Sequence, residues 1–276
     1  MAVVKKSFTT GYPVENNVLP VRCHPLTGDN VLTEDVFYDV SCVESDDIKG
    51  AVLFFAGGSG RGQNDEVDTP RTLTAVKSNF IYINCKAMPN SPTNIGRQNQ
   101  YPVHDFYSTD MECQAQLNLL RDTIIPELAK VVSVDQSLRV VLCGTSRGAG
   151  VIGSWSEMTR KNYANNKDRV VAILANAPAG SLDNGKYRDG YYQIRSTYHM
   201  FQCANHPILG TVGANDITNL TRPVVERAIT RVTNKLFSFQ VIGDEKYPHT
   251  WTYLYPQEFI DMAISLFNRY KSGWTP

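Results

Sequence analysis

The stretch LRVVLCGTSRGAGV, residues 138–151, decides the fold of this chain. Its first six residues are mostly apolar and end at Cys143, a pattern that predicts a buried strand. The sequence GTSRG, residues 144–148, follows at once, and a helical pattern begins at Arg147. The chain therefore carries a G-x-S-x-G motif in a sharp turn between a buried strand and a helix.

A turn of this kind suits nucleophilic chemistry because it raises a serine above the edge of a sheet. The residues two before and two after the serine must be small, and Gly144 and Gly148 meet that demand. The turn would expose Ser146 Oγ to a base, and the backbone N–H of Arg147 would point toward a developing oxyanion. Ser146 is therefore the candidate nucleophile.

A competing motif overlaps the turn, since GAGVIG at residues 148–153 matches the dinucleotide-binding pattern G-x-G-x-x-G. That pattern needs its first glycine directly after the strand and an acid at the end of the next strand. Gly148 lies inside the expected helix, and residues 173–176 offer no acid. We interpret these glycines as close packing of helix on sheet. Residues 57–62 also lack the Lys-Ser/Thr ending of a phosphate-binding loop.

Short apolar runs alternate with helical patterns along the chain. A β-rich, partly alternating pattern predicts a strand at residues 31–40. Continuous runs predict strands that are buried on both faces, at residues 51–56, 79–85, 138–143, 169–175, 206–212 and 236–242. Apolar residues at helical spacing predict helices at residues 111–132, 147–161, 222–235 and 257–270. Pro126 is expected to kink or restart the first of these helices. The fold class is α/β, with a mostly parallel central sheet and helices on both faces.

No linker or repeat divides the chain, so we expect a single domain over residues 1–276. Residues 86–109 and 180–205 do not fit the alternation of strands and helices. The second stretch is rich in tyrosine and includes Tyr191. It is either a lid-like insertion that contributes to a substrate pocket or a surface excursion that packs its own aromatic rings.

Composition excludes several classes of function. With 27 Lys+Arg against 27 Asp+Glu, the formal charge is zero, which argues against a nucleic-acid-binding protein. The apolar run at residues 51–56 is too short to span a bilayer. No signal peptide is visible, so we expect a cytoplasmic protein. Neither C-x-x-C nor H-E-x-x-H occurs, and we expect no metal and no cofactor.

From about residue 31 to residue 270 the chain resembles the α/β-hydrolase superfamily, and its serine esterases in particular. In that family the nucleophile, the acid and the histidine follow one another in this order along the chain. The loop GANDI, residues 213–217, looks like the acid loop, and His249 is the one histidine that follows it. The resemblance therefore implies a triad of Ser146, Asp216 and His249. Asp244 is the second candidate for the acid.

Alternatives remain for single members of this set: His249 could be a turn histidine, and Asp216 could cap a helix that begins near Thr221. The second oxyanion donor should lie in AGGSGRG, residues 56–62, where family members often carry a histidine that braces the loop. Ala56 stands in its place. The N–H of Gly58 is the first candidate donor and that of Ser59 the second, beside the N–H of Arg147. The candidate substrate-binding residues are Gly57, Arg61, Tyr191 and Trp251.

The resemblance implies a serine hydrolase that cleaves carboxylic esters, of the carboxylesterase or acetylesterase type, through an acyl-enzyme. Its substrate would be a small-molecule or acylated-carbohydrate ester. Two alternatives stay open at this point. One is a catalytically silent hydrolase-like binding protein, and the other is a peptidase or thioesterase with the same triad.

Overall fold

The computed structural model describes residues 3–11, 35–43, 47–57, 65–85, 109–162, 169–178, 197–216, 225–227 and 229–273. The strands within them are β1 Val3–Gly11, β2 Asp35–Val43, β3 Gly50–Phe55, β4 Phe80–Cys85, β5 Val140–Thr145, β6 Val170–Asn176, β7 Ile208–Gly213 and β8 Phe237–Ile242. They form one 8-stranded sheet in the order β1-β2-β4-β3-β5-β6-β7-β8.

All neighbouring strands from β4 to β8 pair in parallel, whereas β1 and β2 are antiparallel additions at one edge. Every residue of β3, β4, β5 and β6 is buried, as expected for strands that are covered on both faces. The predicted fold class is therefore confirmed. Among the helices that the structure describes, none is long and apolar enough to cross a bilayer.

The helices are α1 Asp65–Lys77, α2 Thr109–Leu119, α3 Ile125–Leu128, α4 Arg147–Asn162, α5 Thr197–Gln202, α6 Trp251–Leu254 and α7 Pro256–Tyr270. A π-helical turn, Leu120–Ile124, joins α2 to α3. Pro126 lies in the first turn of α3, where its missing N–H is tolerated, so the helix restarts there as the sequence predicts.

The core consists of two apolar layers, one on each face of the sheet. Successive residues of β3 alternate between them: Leu53 joins the layer that contains residues of α2, α3 and α4, while Phe54 joins the layer that contains residues of α7. Because a β-strand points alternate side chains to opposite faces, a continuous apolar run serves both layers at once.

One predicted helix is shorter than expected. Residues 225–227 and 229 are helical, but residues 230–235 form turns and irregular structure instead of completing the helix at 222–235. The Asn234 side chain explains where the chain leaves the helix. Its Nδ2 donates to the carbonyls of Phe201 and Ala204, each at 3.0 Å, and its Oδ1 accepts the N–H of Leu236 at 3.0 Å. Asparagine competes with helix formation through such bonds to the backbone.

Helix α4 lies close to the end of β3 because Gly148 has no side chain. A Cβ at Gly148 would lie 2.1 Å from the carbonyl oxygen of Phe55, which is rigid backbone. A Cβ at Gly144 would lie 2.7 Å from the carbonyl carbon of Gly148. The interpretation of close packing therefore applies to Gly148, whereas Gly153 faces the side chain of Met200 in α5.

We expect Gly148→Ala to lower the free energy of unfolding by about 2–3 kcal/mol, since the added methyl group meets backbone that cannot move aside. Gly153→Ala is the matched control in the same helix. Its methyl group would lie 2.9 Å from Met200 Sδ, at a flexible side chain, so we expect a change below about 1 kcal/mol. Urea denaturation of both variants measures the difference, and equal stabilities would contradict the packing account.

Candidate active site

Ser146 has a left-handed backbone conformation, which residues other than glycine rarely adopt. It lies between β5 and α4, with φ at +55°. This left-handed conformation costs on the order of 1–3 kcal/mol and is concentrated at functional sites. The Ser146 N–H donates to the carbonyl of Asn176, at the end of β6, with an N···O distance of 2.8 Å. The side chain remains partly exposed, as a nucleophile requires.

Asp216 follows β7, His249 follows β8, and their side chains are in direct contact. His249 Nδ1 is 2.8 Å from Asp216 Oδ2. The Asp216 side chain is completely buried, whereas the His249 side chain is 25% exposed. A carboxylate accepts the Nδ1 proton, which leaves Nε2 of a neutral imidazole as a proton acceptor. The Asp216 carboxyl group therefore lies in the interior, and part of the His249 imidazole reaches the surface.

Asp244, the second candidate acid, is used elsewhere. It is exposed, and its Oδ1 accepts the backbone N–H of Lys246 at 2.9 Å. It therefore shapes the loop in front of His249, and Asp216 makes the contact with the imidazole. The alternative in which Asp216 caps a helix near Thr221 involves a segment outside the described residues.

The loop that carries His249 is pressed against the end of β7. A Cβ at Gly213 would lie 2.1 Å from the carbonyl oxygen of Tyr247. The N–H of Asn215 donates to the same carbonyl at 3.0 Å. A glycine at the end of β7 therefore permits the close approach that brings the histidine loop beside Asp216.

Two hydrogen bonds connect the ends of β5 and β6 to α6, the helix that follows His249. Thr145 Oγ1 and Thr252 Oγ1 are 2.8 Å apart, and both side chains are buried. The Trp251 indole N–H donates to Asn176 Oδ1 at 2.7 Å. Because the Asn176 carbonyl also accepts the Ser146 N–H, Asn176 contacts both the Ser146 turn and α6.

The remaining residues that the sequence predicts for the site differ in where the structure places them. Trp251 is fully buried and its N–H is bound to Asn176, so its side chain offers no surface to a substrate, contrary to its expected role in substrate binding. Gly57 lies near Ser146, and Arg147 is the first residue of α4, whose backbone N–H lies at the helix N-terminus. Four predicted residues lie outside the described residues: Gly58, Ser59, Arg61 and Tyr191.

A second possible nucleophile beside the turn is chemically inert. The Cys143 thiol is completely buried and contacts the carbonyl of Leu53 at 3.5 Å. Burial raises the pKa of this thiol far above its ordinary value, so it stays protonated. In the part of the chain that the structure describes, no group of His, Cys, Asp and Glu could hold a metal ion.

No family model matches this sequence, and neither does any curated protein. Solved structures are similar over nearly the whole chain. A dienelactone hydrolase from Anabaena variabilis has a TM-score of 0.58 and 12% identity, covering 96% of this chain and 98% of its own. Fungal esterases from Rhizomucor miehei have a TM-score of 0.59 and 11% identity, covering 98% of this chain and 85% of their own. An esterase from Pyrococcus furiosus has a TM-score of 0.56 and 13% identity, covering 98% and 92%.

This chain has the α/β-hydrolase fold. Identities this low show a shared fold, and a shared fold does not determine the reaction. The resemblance to the α/β-hydrolases is therefore confirmed for the fold.

Sequence reasoning missed two polar residues of this α/β-hydrolase fold. Asn176 ends an otherwise apolar strand, which was a weak signal. Tyr253 belongs to no recognisable sequence motif, yet its hydroxyl accepts the N–H of Gly57 at 2.8 Å. Both contacts join residues that are far apart in the sequence, so neither could be read from local spacing.

We expect the Asp216–His249 hydrogen bond to give a strongly downfield imidazole N–H resonance in proton NMR. Asp216→Asn removes the carboxylate and should abolish that resonance, because an amide does not hold the Nδ1 proton in the same way. Asp244→Asn changes the nearby exposed carboxylate and should leave the resonance in place. Loss of the signal in Asp244→Asn, with retention in Asp216→Asn, would contradict the assigned pair.

Proposed function

We propose that this chain is a serine hydrolase that cleaves carboxylic esters through an acyl-enzyme, of the carboxylesterase or acetylesterase type. One observation carries the proposal. The strained Ser146 turn is hydrogen-bonded to the helix that follows His249, and His249 in turn binds the buried Asp216. The structures with a similar fold include esterases and a dienelactone hydrolase, which supports hydrolytic chemistry.

Each residue of the proposed triad has a distinct role. His249 Nε2 takes the proton of Ser146 Oγ as the oxygen forms a bond to the ester carbonyl carbon. The carbonyl electron pair moves onto oxygen, and the tetrahedral intermediate collapses when the imidazolium returns the proton to the departing alcohol. Water then attacks the acyl-enzyme by the same route and releases the carboxylic acid. Asp216 holds the imidazole tautomer and stabilises its cation.

The oxyanion would be stabilised at the start of α4. The N–H of Arg147 lies at the first helical position, where backbone donors and the helix dipole both favour negative charge. The second donor is proposed to be a backbone N–H in the loop after β3. Gly58 is the first candidate and Ser59 the second. Donors of this type act on charge that develops in the transition state, so they raise the rate more than they strengthen substrate binding.

The proposed substrate is a small-molecule or acylated-carbohydrate ester, bound near Gly57 with contributions from Arg61 and Tyr191. A chain with a formal charge of zero has no global field to attract a charged polymer, so any preference for an anionic substrate would be local. We further propose that residues 180–205 act as a lid-like insertion, that the chain is one domain over residues 1–276, and that it works in the cytoplasm.

The experiment measures hydrolysis of p-nitrophenyl esters from acetate to long acyl chains by the wild type and by Ser146→Ala. We expect Ser146→Ala to lower kcat/KM by at least about 10⁴-fold, since the alanine side chain has no oxygen with which to form the acyl-enzyme. Ser137→Ala, an exposed serine bound to Asp135, is the matched control and should retain wild-type activity.

Parallel assays with a thioester and an anilide separate the chemistries that share this triad. Faster turnover of either than of every ester would replace the esterase proposal with thioesterase or peptidase activity. A folded wild type that hydrolyses none of these substrates would support the silent binding protein instead. Full activity in Ser146→Ala would exclude Ser146 as the nucleophile.

A further inference from the structure

Tyr253, in helix α6, reaches back to the loop that follows β3. Its hydroxyl oxygen accepts the backbone N–H of Gly57 with an N···O distance of 2.8 Å. Gly57 is the last described residue before the segment that contains the proposed oxyanion donors Gly58 and Ser59. The hydrogen bond therefore fixes the chain at the point where it enters that segment.

The same contact lies directly beside the nucleophile turn. A Cβ placed on Gly57 would be 3.2 Å from the Tyr253 hydroxyl, 3.3 Å from Ser146 Cβ and 3.1 Å from the carbonyl oxygen of Thr145. The backbone at Gly57 is thus enclosed between the phenol on one side and the turn on the other. A displacement of the phenol would therefore allow the Gly57 backbone to move relative to Ser146.

The phenol ring is itself held in position by a buried arginine. Arg71, in α1, is fully buried, and its guanidinium carbon lies 4.9 Å from the centroid of the Tyr253 ring and 3.9 Å from that of Phe54. Arg71 Nη2 also donates to the carbonyl of Thr252 at 2.9 Å. Because guanidinium groups stack on aromatic faces, Arg71 restrains both the ring and the backbone of α6.

We infer that Tyr253 is a positioning residue, whose hydroxyl holds the Gly57 backbone beside Ser146, directly before the proposed oxyanion donors. This inference rests on the proposed function. Ala56 occupies the place where a histidine side chain often braces this loop in proteins with this motif order, and it is buried with no polar group to offer. The Tyr253 hydroxyl supplies a polar contact to the next residue, from the helix that follows His249.

The inference predicts which kinetic constant changes. Loop N–H groups bind charge that exists in the transition state and is largely absent from the bound ester. Misplacement of these donors should therefore lower kcat and leave KM nearly unchanged. A ring that served packing alone would tolerate loss of its hydroxyl, because phenylalanine fills the same volume.

The test compares Tyr253→Phe with Tyr255→Phe, which removes the same atom from a half-buried ring close by. The Tyr255 ring stacks on Tyr247 with centroids 4.6 Å apart. We expect Tyr253→Phe to lower kcat at least about tenfold with KM within about twofold of the wild type, since small misplacements in active sites carry large rate penalties. Binding of phenylboronic acid, which forms a tetrahedral adduct on serine, should weaken by a similar factor.

Tyr255→Phe should match the wild type in kcat, KM and boronate affinity. The inference is overturned if Tyr253→Phe keeps the wild-type kcat, if its loss appears in KM alone, or if Tyr255→Phe loses as much. Should Tyr253→Phe fail to fold, Gly57→Ala provides the second variant, because its methyl group crowds the same hydroxyl. A wild-type kcat in Gly57→Ala would then overturn the inference.

Failure of this inference and failure of the proposed function give different results. If the wild type cleaves no ester, the proposed function fails and the positioning role fails with it. If the wild type is active, Ser146→Ala is inactive and Tyr253→Phe is unchanged, the positioning role alone is excluded.

Discussion

The contact between Gly148 and the carbonyl of Phe55 is the constraint on which the site depends. It brings the first turn of α4 against the end of β3, at a distance that no side chain on residue 148 could allow. The chain must then turn sharply between β5 and α4, and Ser146 adopts a positive φ as a result. The strain is local, and the buried strands on both sides of β5 provide the stability that maintains it.

Strands β6 and β7 extend this constraint to the rest of the site. Asn176 ends β6 and binds the Ser146 N–H through its carbonyl and the Trp251 indole through its side chain. Gly213 ends β7 and admits the histidine loop, which places His249 against Asp216. In an open parallel sheet these strand ends meet along one edge, so residues that are distant in the sequence become neighbours.

Much of this architecture could be predicted because its signals are local or ordered along the chain. Continuous apolar runs predicted the central strands, and the motif at residues 144–148 predicted the turn at Ser146. The family resemblance implies Asp216 as the acid, and the structure puts it in contact with His249. Strand β1, with the mixed sequence VVKKSFTTG, lacks a continuous apolar run, and it was missed for that reason.

What could not be predicted depends on contacts across the fold. The helix expected at 222–235 ends early because Asn234 binds carbonyls at the end of another helix, a contact with no periodic signal. Trp251 is a candidate substrate-binding residue by its place two residues after His249 in the sequence. Its burial against Asn176 follows from where β6 ends, and the spacing from His249 carries no information about that. The contact between Tyr253 and Gly57 likewise joins residues that are far apart in the sequence, so no local pattern predicts it.

Covalent labelling with a fluorophosphonate, followed by intact and peptide mass spectrometry, tests the central claim most directly. The reagent modifies a serine that a neighbouring base activates, so it reports on the proposed nucleophile without any assumption about the substrate. The wild type should gain one phosphonyl adduct, located on the peptide that contains Ser146, and Ser146→Ala should gain none. A folded wild type that stays unlabelled, or a label on another residue, would contradict the account.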